Sequence, residues 1–307
     1  YTDTDFKGWS LKSRKPAQEH QIRLALATLQ CENPADWETM LNKTISKVQT
    51  DKKAKQKTRQ WWNSYWKRSY VFIDSGKIGS DYWKVGRNYQ LFRYMLGCNA
   101  YGSEPTKFNG GLFTFDPVHI DSTRVFTPDF RLWGGGTMTA QNQRLVYFPM
   151  LKSGDFDMMK PQFDFYERML DNAKLRTKVY WNHEGACFSE QIENFGLPNL
   201  AEYDWKPRHE GFPVGVDSNP WLEYTWDTAL EFALMMFDAH LYNNEPIVPH
   251  LPFIESLLTF FDEHYSYLAL RRGTNKLDGD GHLVLYPGSA CETYKICLLY
   301  TSPSPRD

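Results

Sequence analysis

Ala140-Gln-Asn-Gln-Arg-Leu-Val-Tyr-Phe-Pro-Met-Leu151 and Phe156-Asp-Met-Met-Lys-Pro-Gln-Phe-Asp-Phe-Tyr-Glu-Arg-Met-Leu170 are two helical runs joined only by Lys152-Ser-Gly-Asp155. A connection that short, with a glycine in it, folds the second helix back along the first as an αα-hairpin. The pattern continues outward. Tyr82, Val85, Tyr89, Phe92 and Leu96 recur at helical spacing, and further helices are expected near 187–195, 221–243 and 248–270. Between them lie loops rich in Gly, Pro and aromatic residues, at 99–136, 177–186, 197–220 and 271–291. Loops of that length in a helical domain are usually functional. Antiparallel helix pairs whose loops gather at one end predict a mainly α fold, an α/α toroid around a central cleft. A plain bundle or an α-solenoid is the alternative, and the lack of a fixed repeat of about 33–47 residues counts against the solenoid.

The N-terminal part reads differently. His20–Gln30 alternates apolar and polar residues over part of its length and is expected to be a strand. Asn33-Pro34 has the form of an N-cap followed by proline in the first helical turn. Trp37, Leu41, Ile45 and Val48 then recur at helical spacing, and the Lys-rich run 52–59 is expected to continue that helix toward Trp61, Trp62 and Trp66.

Composition bounds the function. The 307 residues carry a formal net charge of −2 and a mean hydropathy of −0.58, so no concentrated basic surface for nucleic acid and no membrane-inserted span is expected. Aromatic residues make up 16% of the chain, with 11 Trp, which favours a carbohydrate partner because rings stack on sugar faces as readily as they fill cores. The five cysteines show no CxxC and the eight histidines no HxxxH or HExxH spacing. Neither a metal nor another cofactor is expected.

Both ends read as incomplete. Tyr1 is not a start residue, and Cys297-Leu-Leu-Tyr-Thr-Ser-Pro-Ser-Pro-Arg-Asp307 matches one translation frame of a common transposase-type sequencing adapter. Native sequence is therefore expected to stop near Ile296, in a gene fragment. A genuine Pro/Ser-rich disordered tail is the other reading.

Three segments carry candidate chemistry. In Pro105-Thr-Lys-Phe-Asn-Gly-Gly-Leu-Phe113, Gly110 and Gly111 permit close backbone approach to a ligand, and Asn109 can donate and accept. In Trp133-Gly-Gly-Gly-Thr-Met-Thr-Ala140, a Gly-rich turn opens the first helix of the hairpin, with Gln141, Asn142 and Gln143 in its first turns. Amides there can cap the helix, or bind sugar hydroxyls beside Trp133. The third segment, His282-Leu-Val-Leu-Tyr-Pro-Gly-Ser-Ala-Cys-Glu292, ends an apolar, extended run on a lone carboxyl group. A carboxyl carried by a stiff segment into an aromatic-rich domain suits a general acid, because burial raises its pKa.

These segments resemble glycoside hydrolase family 95, the inverting glycosidases of the α-L-fucosidase and α-L-galactosidase type. Trp133-Gly134, Asn142 and Tyr147-Phe148-Pro149 match the family's Trp-Gly, Asn-x-Asn and Tyr-Trp-Pro pattern without gaps. Phe92-Arg93-Tyr94-Met95 is similar to its Gly-Arg-Tyr-Leu helix, and Lys107-Phe108-Asn109-Gly110 to its Asn-Leu-Gln-Gly loop. Tyr286-Pro-Gly-Ser-Ala-Cys-Glu292 is similar to Asn-Pro-x-x-Ser-Pro-Glu, which supplies the family's general acid. The resemblance spans about residues 60–296 and implies a partial (α/α)6 toroid at 61–296. Before it would come a remnant strand of an N-terminal β-sandwich at 1–31 and a linker helix at 32–60, and after it a non-native tail at 297–307.

By the same resemblance, Glu292 is the general acid, Asn142 positions the attacking water with Gln141 or Gln143 beside it, and the base is an aspartate beyond residue 296, so the 307 residues by themselves are expected to be inactive. Trp133, Asn109, Glu190, His183 and Trp226 are candidate substrate contacts, with core packing at least as good a reading of Trp226. Glu184, Glu190 and Glu223 are secondary carboxylates, for each of which capping or solvation is the simpler role. A periplasmic or secreted bacterial location follows from the family alone. Departures matter too. Ala140 stands where the family has its first asparagine, Phe148 replaces a tryptophan, and Gly185-Ala-Cys-Phe-Ser-Glu190 lacks the histidine of the family's Gly-Trp-Val-x-His. A non-catalytic carbohydrate-binding toroid, or a polysaccharide lyase using Arg131 and His183, are the competing readings.

Overall fold

Asn33 starts the first helix by taking over an amide that the helix cannot satisfy itself. Its Oδ1 accepts from the Asp36 N–H at 3.1 Å, and Pro34 supplies the fixed φ of the first turn of α1 (Pro34–Thr50). The helix does not run on through the lysines. Asp51 accepts from the Lys53 N–H at 2.9 Å and pairs with Lys57 at 2.7 Å, a local turn that separates α1 from α2 (Ala54–Arg68). In the computed structural model the described residues are 10–20, 22, 24–73, 77–99, 101–107, 123, 137–198, 210–213, 215–218, 222 and 224–288.

The chain divides after Ser69 into two units, Tyr1–Ser69 and Tyr70–Asp307. In the first unit the expected strand at 20–30 is not formed among the described residues. Leu24 and Leu26 are 85% and 90% exposed, and no ladder pairs them. Alternation yields a strand only where a neighbouring strand takes the backbone groups. Trp61, Trp62, Tyr65 and Trp66 form a ring cluster on α2, with Trp61 stacked on Tyr65 at 5.1 Å.

The second unit is mainly helical. It comprises α3 (Asp81–Asn99), α4 (Ala140–Ser153), α5 (Lys160–Arg168), α6 (Leu170–Trp181), α7 (Thr228–Asn243) and α8 (Leu251–Arg272). Two short strands, β1 (Met138–Thr139) and β2 (Gln191–Ile192), pair antiparallel with Met138 opposite Ile192. The expected helix at 187–195 is therefore replaced by extended chain. Its backbone is taken by β1 and its polar side chains by distant partners, so tertiary pairing overrides local propensity.

The predicted reversal after α4 is present, and a second hairpin follows. The expected single helix at 156–170 is instead a 3-10 turn followed by α5, and the expected loop at 177–186 is helical as far as Trp181 in α6. α4 stops at Gly154 in the left-handed region (φ 71°), and the chain returns through a 3-10 turn into α5 and α6. α7 stops in the same way at Asn244 and returns as α8. Arg144 meets Glu231 at 2.5 Å near the starts of α4 and α7, and Lys152 meets Tyr242 at 3.1 Å near their ends. The leading helices of the two hairpins therefore run parallel, with their N-termini level to roughly one turn. The returning helices are parallel as well. Phe163 packs on His250 at 5.5 Å at one end, and Trp181 on Phe260 at 5.8 Å further along.

Between these layers Tyr166, Phe188, Phe232 and Phe253 form a fully buried ring cluster with centroids 4.8–6.2 Å apart. Burial of such rings contributes about 1.5–3 kcal/mol each. Gly185 lets the chain cross α8. Its φ is 81°, and a Cβ there would lie 2.4 Å from the Phe260 nitrogen and from the Ser256 oxygen, beside the Ala186 N–H bond to Ser256 O at 2.8 Å. Gly185→Ala is expected to cost about 2 kcal/mol or more, measured by chemical denaturation. A loss below about 0.5 kcal/mol would contradict this account of the crossing.

Candidate functional site

The β1–β2 pairing delivers Glu190 to the start of α4. The Ala140 N–H donates to the Glu190 carbonyl at 2.8 Å, and the Gln141 N–H to its Oε1 at 2.9 Å. A residue from a distant segment thus caps α4, while the local N-cap Thr139 makes no side-chain cap bond. Gln141 and Asn142 remain half-buried at this end. Gln143 turns inward instead. It is 1% exposed, and its Nε2 donates to Gln162 Oε1 at 3.0 Å, a packing bond between α4 and α5.

Glu190 itself is 2% exposed. Burial pushes its carboxyl from the ordinary 4.5 up to about 7, opposed by the Gln141 N–H, and the charges of Asp217 and Asp227 add to the rise while Arg144 opposes it. Asp227, the residue before α7, is raised to about 6, again first by burial. Two carboxyl groups whose pKa values burial raises toward neutrality, at the level starts of two parallel helices, mark this end as a functional-site candidate.

The linkage has a definite sign. Between pH 4.5 and 7 the folded Glu190 keeps a proton that the unfolded chain has lost, so stability falls as pH rises across that window. Glu190→Gln is expected to flatten this decline in denaturant midpoints measured from pH 4.5 to 7.5. An unchanged slope would show that Glu190 is not the titrating group.

Asp217 is held by Ser189, whose hydroxyl donates to the carboxylate at 2.5 Å, and by Arg176 at 3.5 Å. Arg176 also donates to the carbonyls of Gly215 and, at 3.0 Å, Cys187. It thereby ties the segment leading into β2 to α6.

His183 and Trp226 lie in a different setting, against α8. His183 is 8% exposed and packs on His264 and Tyr267, and burial lowers its pKa. Burial holds His264 down at about 3, with the neighbouring His183 lowering it further. Trp226 is 5% exposed and packed among Trp181, Phe260 and His264, which makes it a core ring. Leu283 and Leu285 pack against this cluster, Tyr265 Oη donates to Pro287 O at 3.2 Å, and Arg272 donates to the Tyr286 carbonyl. The apolar run is thus anchored on α8 as far as it is described. Glu184 is exposed and paired with Lys178 at 2.8 Å. Glu292, Trp133, Asn109, Glu223 and Arg131 lie outside the described residues.

Sequence reasoning passed over Asp227. Its one signal is Thr228-Ala-Leu-Glu231, which has the spacing of a capping box before an apolar run. Among the described residues one group has metal-ligand spacing. It comprises the exposed Asp278, Asp280 and His282, whose ligand atoms lie within 4.8 Å of one another. Asp278 Oδ1 there already accepts the Asp280 and His282 N–H groups at 2.9 Å, the bonding of a turn. No helix among the described residues is long and apolar enough to cross a membrane.

Residues 1–71 match the family model DUF5703_N, described as Domain of unknown function (DUF5703). The match ends beside the division after Ser69. No curated protein and no solved structure matches the chain.

Proposed function

We propose that the helical unit belongs to a glycoside hydrolase that cleaves a glycan with inversion, and that its two hairpins are part of an (α/α)6 toroid. The observation that carries this reading is the pair of enclosed carboxyls raised by burial, Glu190 and Asp227, at the level starts of α4 and α7, beside the half-buried amides of Gln141 and Asn142. Glu292 donates the proton to the leaving group, and Asn142 orients the water. Glu190 keeps the first turn of α4 in place through its bond to the Gln141 amide. The base is a carboxylate about 6.5–9.5 Å from the acid, the separation that leaves room for a water in an inverting site. The domain order of sandwich remnant, linker helix and toroid, and a secreted or periplasmic location, belong to the same proposal.

The test is the configuration of the first sugar released from a panel of neutral glycans by the protein that carries both acid and base, followed by proton NMR before mutarotation. Inversion at the anomeric carbon is the expected result. Retention, or no release from any glycan, would overturn the reading.

One observation favours a second reading. Ala140, at 1% exposure, stands where an amide would engage the attacking water. A toroid that binds glycans without cleaving them would bind the panel and release nothing.

A further inference from the structure

His264 is 2% exposed on α8, and neither of its ring nitrogens has a hydrogen-bond partner. His183, buried where the chain leaves α6, has its Nε2 in the same condition. The two rings are in contact, with centroids 5.2 Å apart. Aromatic rings close the space around them. Phe260 stacks on His264 at 5.0 Å, Trp226 meets it edge-on at 4.8 Å and Trp181 at 5.6 Å, while Tyr267 packs on His183 at 5.3 Å.

An imidazolium donates at both nitrogens and needs two acceptors or water. Here it would meet rings, and two imidazoliums at this separation would also repel each other. The charged neighbours do not relieve this. From α8 the Glu263 carboxylate favours a charged His183, and from α6 Lys178 opposes it. Glu263 already accepts the Glu184 N–H at 2.7 Å. Among the described residues the one charged neighbour acting on His264 is His183, and it acts against protonation. Asp227, before α7, and Arg272 act on the adjacent Tyr265.

The first half of α8 has separate anchors. Phe253 sits in the buried ring cluster with Tyr166, and Ser256 O accepts the Ala186 N–H. From His264 onward the helix packs differently. Tyr265 and Leu268 join the cluster of Trp226 and Phe260, the same rings that enclose His264. The run 283–287 is fastened to this second half, through Tyr265 Oη to Pro287 O, Arg272 to the Tyr286 carbonyl, and the packing of Leu283 and Leu285.

We infer that the His183–His264 pair is an acid-operated latch, closed while both imidazoles are neutral. Protonation opens it and releases the second half of α8 together with the run 283–287. The latch goes beyond the glycosidase reading and does not depend on it. In the open form His264 binds a proton as an ordinary imidazole, with a pKa of about 6.5, and in the closed form it does not. The closed form therefore loses ground as pH falls below about 6.5, and opening at pH 5.0 exceeds that at pH 7.5 by about thirtyfold for His264 alone. Glu190 shifts global stability the opposite way across this range, so a local readout is needed.

The test is amide hydrogen exchange of the full chain at pH 7.5 and 5.0, resolved by peptide mass spectrometry and corrected for the intrinsic pH dependence of exchange. Protection over 264–287 is expected to fall about thirtyfold at the lower pH, while that of α4 and α7 stays within about threefold. His264→Phe keeps a ring on Phe260 and is expected to hold the fall over 264–287 within about threefold. In the parent, the His264 ring-proton NMR shift of the folded form is expected to stay that of a neutral imidazole throughout. If His264→Phe does not fold, the parent's exchange and this shift decide.

Titration of His264 near 6.5 in the folded protein, or protection over 264–287 that does not fall at pH 5.0, would overturn the inference. So would a fall equally large in α4 and α7, or an undiminished fall in a folded His264→Phe.

Discussion

Asp155→Ala is expected to destabilise the helical unit by about 3–5 kcal/mol, the cost of leaving one member of a buried ion pair without its partner. Asp155 is 0% exposed and Arg93 1% exposed. The guanidinium reaches both carboxylate oxygens, at 2.9 and 2.8 Å from Nη2, and Ser153 Oγ donates to the same carboxylate at 2.5 Å. This pair joins α3 to the turn between α4 and α5, so its loss loosens the hairpin where the chain reverses. The corresponding fall in Tm is roughly 6–20 °C for a domain of this size. Arg93→Met/Asp155→Leu should recover most of the loss, because two apolar side chains leave no charge stranded. A single-variant effect below about 1 kcal/mol would show that the pair does not hold the hairpin. Arg93, in the segment that resembles a glycosidase helix, thus has a structural role in this chain.

On the proposed glycosidase reading, Glu292→Gln in the protein that carries both acid and base should lower turnover by about 10²–10⁴ on glycosides with poor leaving groups, the range for loss of a general acid. The effect should shrink on activated aryl glycosides, whose leaving groups need little protonation. That contrast separates an acid from a residue that only binds. The stiffness that such a donor needs is present in the run approaching it, since Leu283, Leu285, Tyr286 and Pro287 are all held against α8 and its ring cluster. Glu190→Gln, by comparison, should move the pH profile and KM more than it changes the leaving-group dependence, because Glu190 acts through the backbone of α4. Unchanged turnover of Glu292→Gln on a poor leaving group would remove Glu292 from the mechanism.

The helices that were legible in the sequence share a property. Their signals are local. Asn33-Pro34 caps α1 because the cap bond closes within three residues, and the α4–α5 hairpin is visible because Gly154 and a few polar residues are all that a reversal needs. Where the sequence reading failed, the deciding partner was far along the chain. Leu24 and Leu26 alternate as in a strand, but no neighbour pairs with them among the described residues. Residues 187–195 follow β1 instead of helical spacing. Gln143 reads as one of three equivalent amides, yet its position on α4 turns it onto Gln162 while Gln141 and Asn142 stay at the helix start.

The candidate site divides along the same line. Which residues could do chemistry was visible in residue types, and Glu190, Gln141 and Asn142 could be named without coordinates. What distinguishes Glu190 from Glu184, six residues earlier, could not be named that way. Glu184 is exposed and paired with a lysine, so its pKa falls. Glu190 is enclosed between β1, α4 and α7, so its pKa rises to about 7. Sequence alone determined α1, α3, α4, α7, α8 and the reversal after α4, because capping and periodicity act within a few residues. Only the tertiary structure decided which carboxyls keep a proton, because desolvation is imposed by whatever segments fold over a group, however distant they are in the chain.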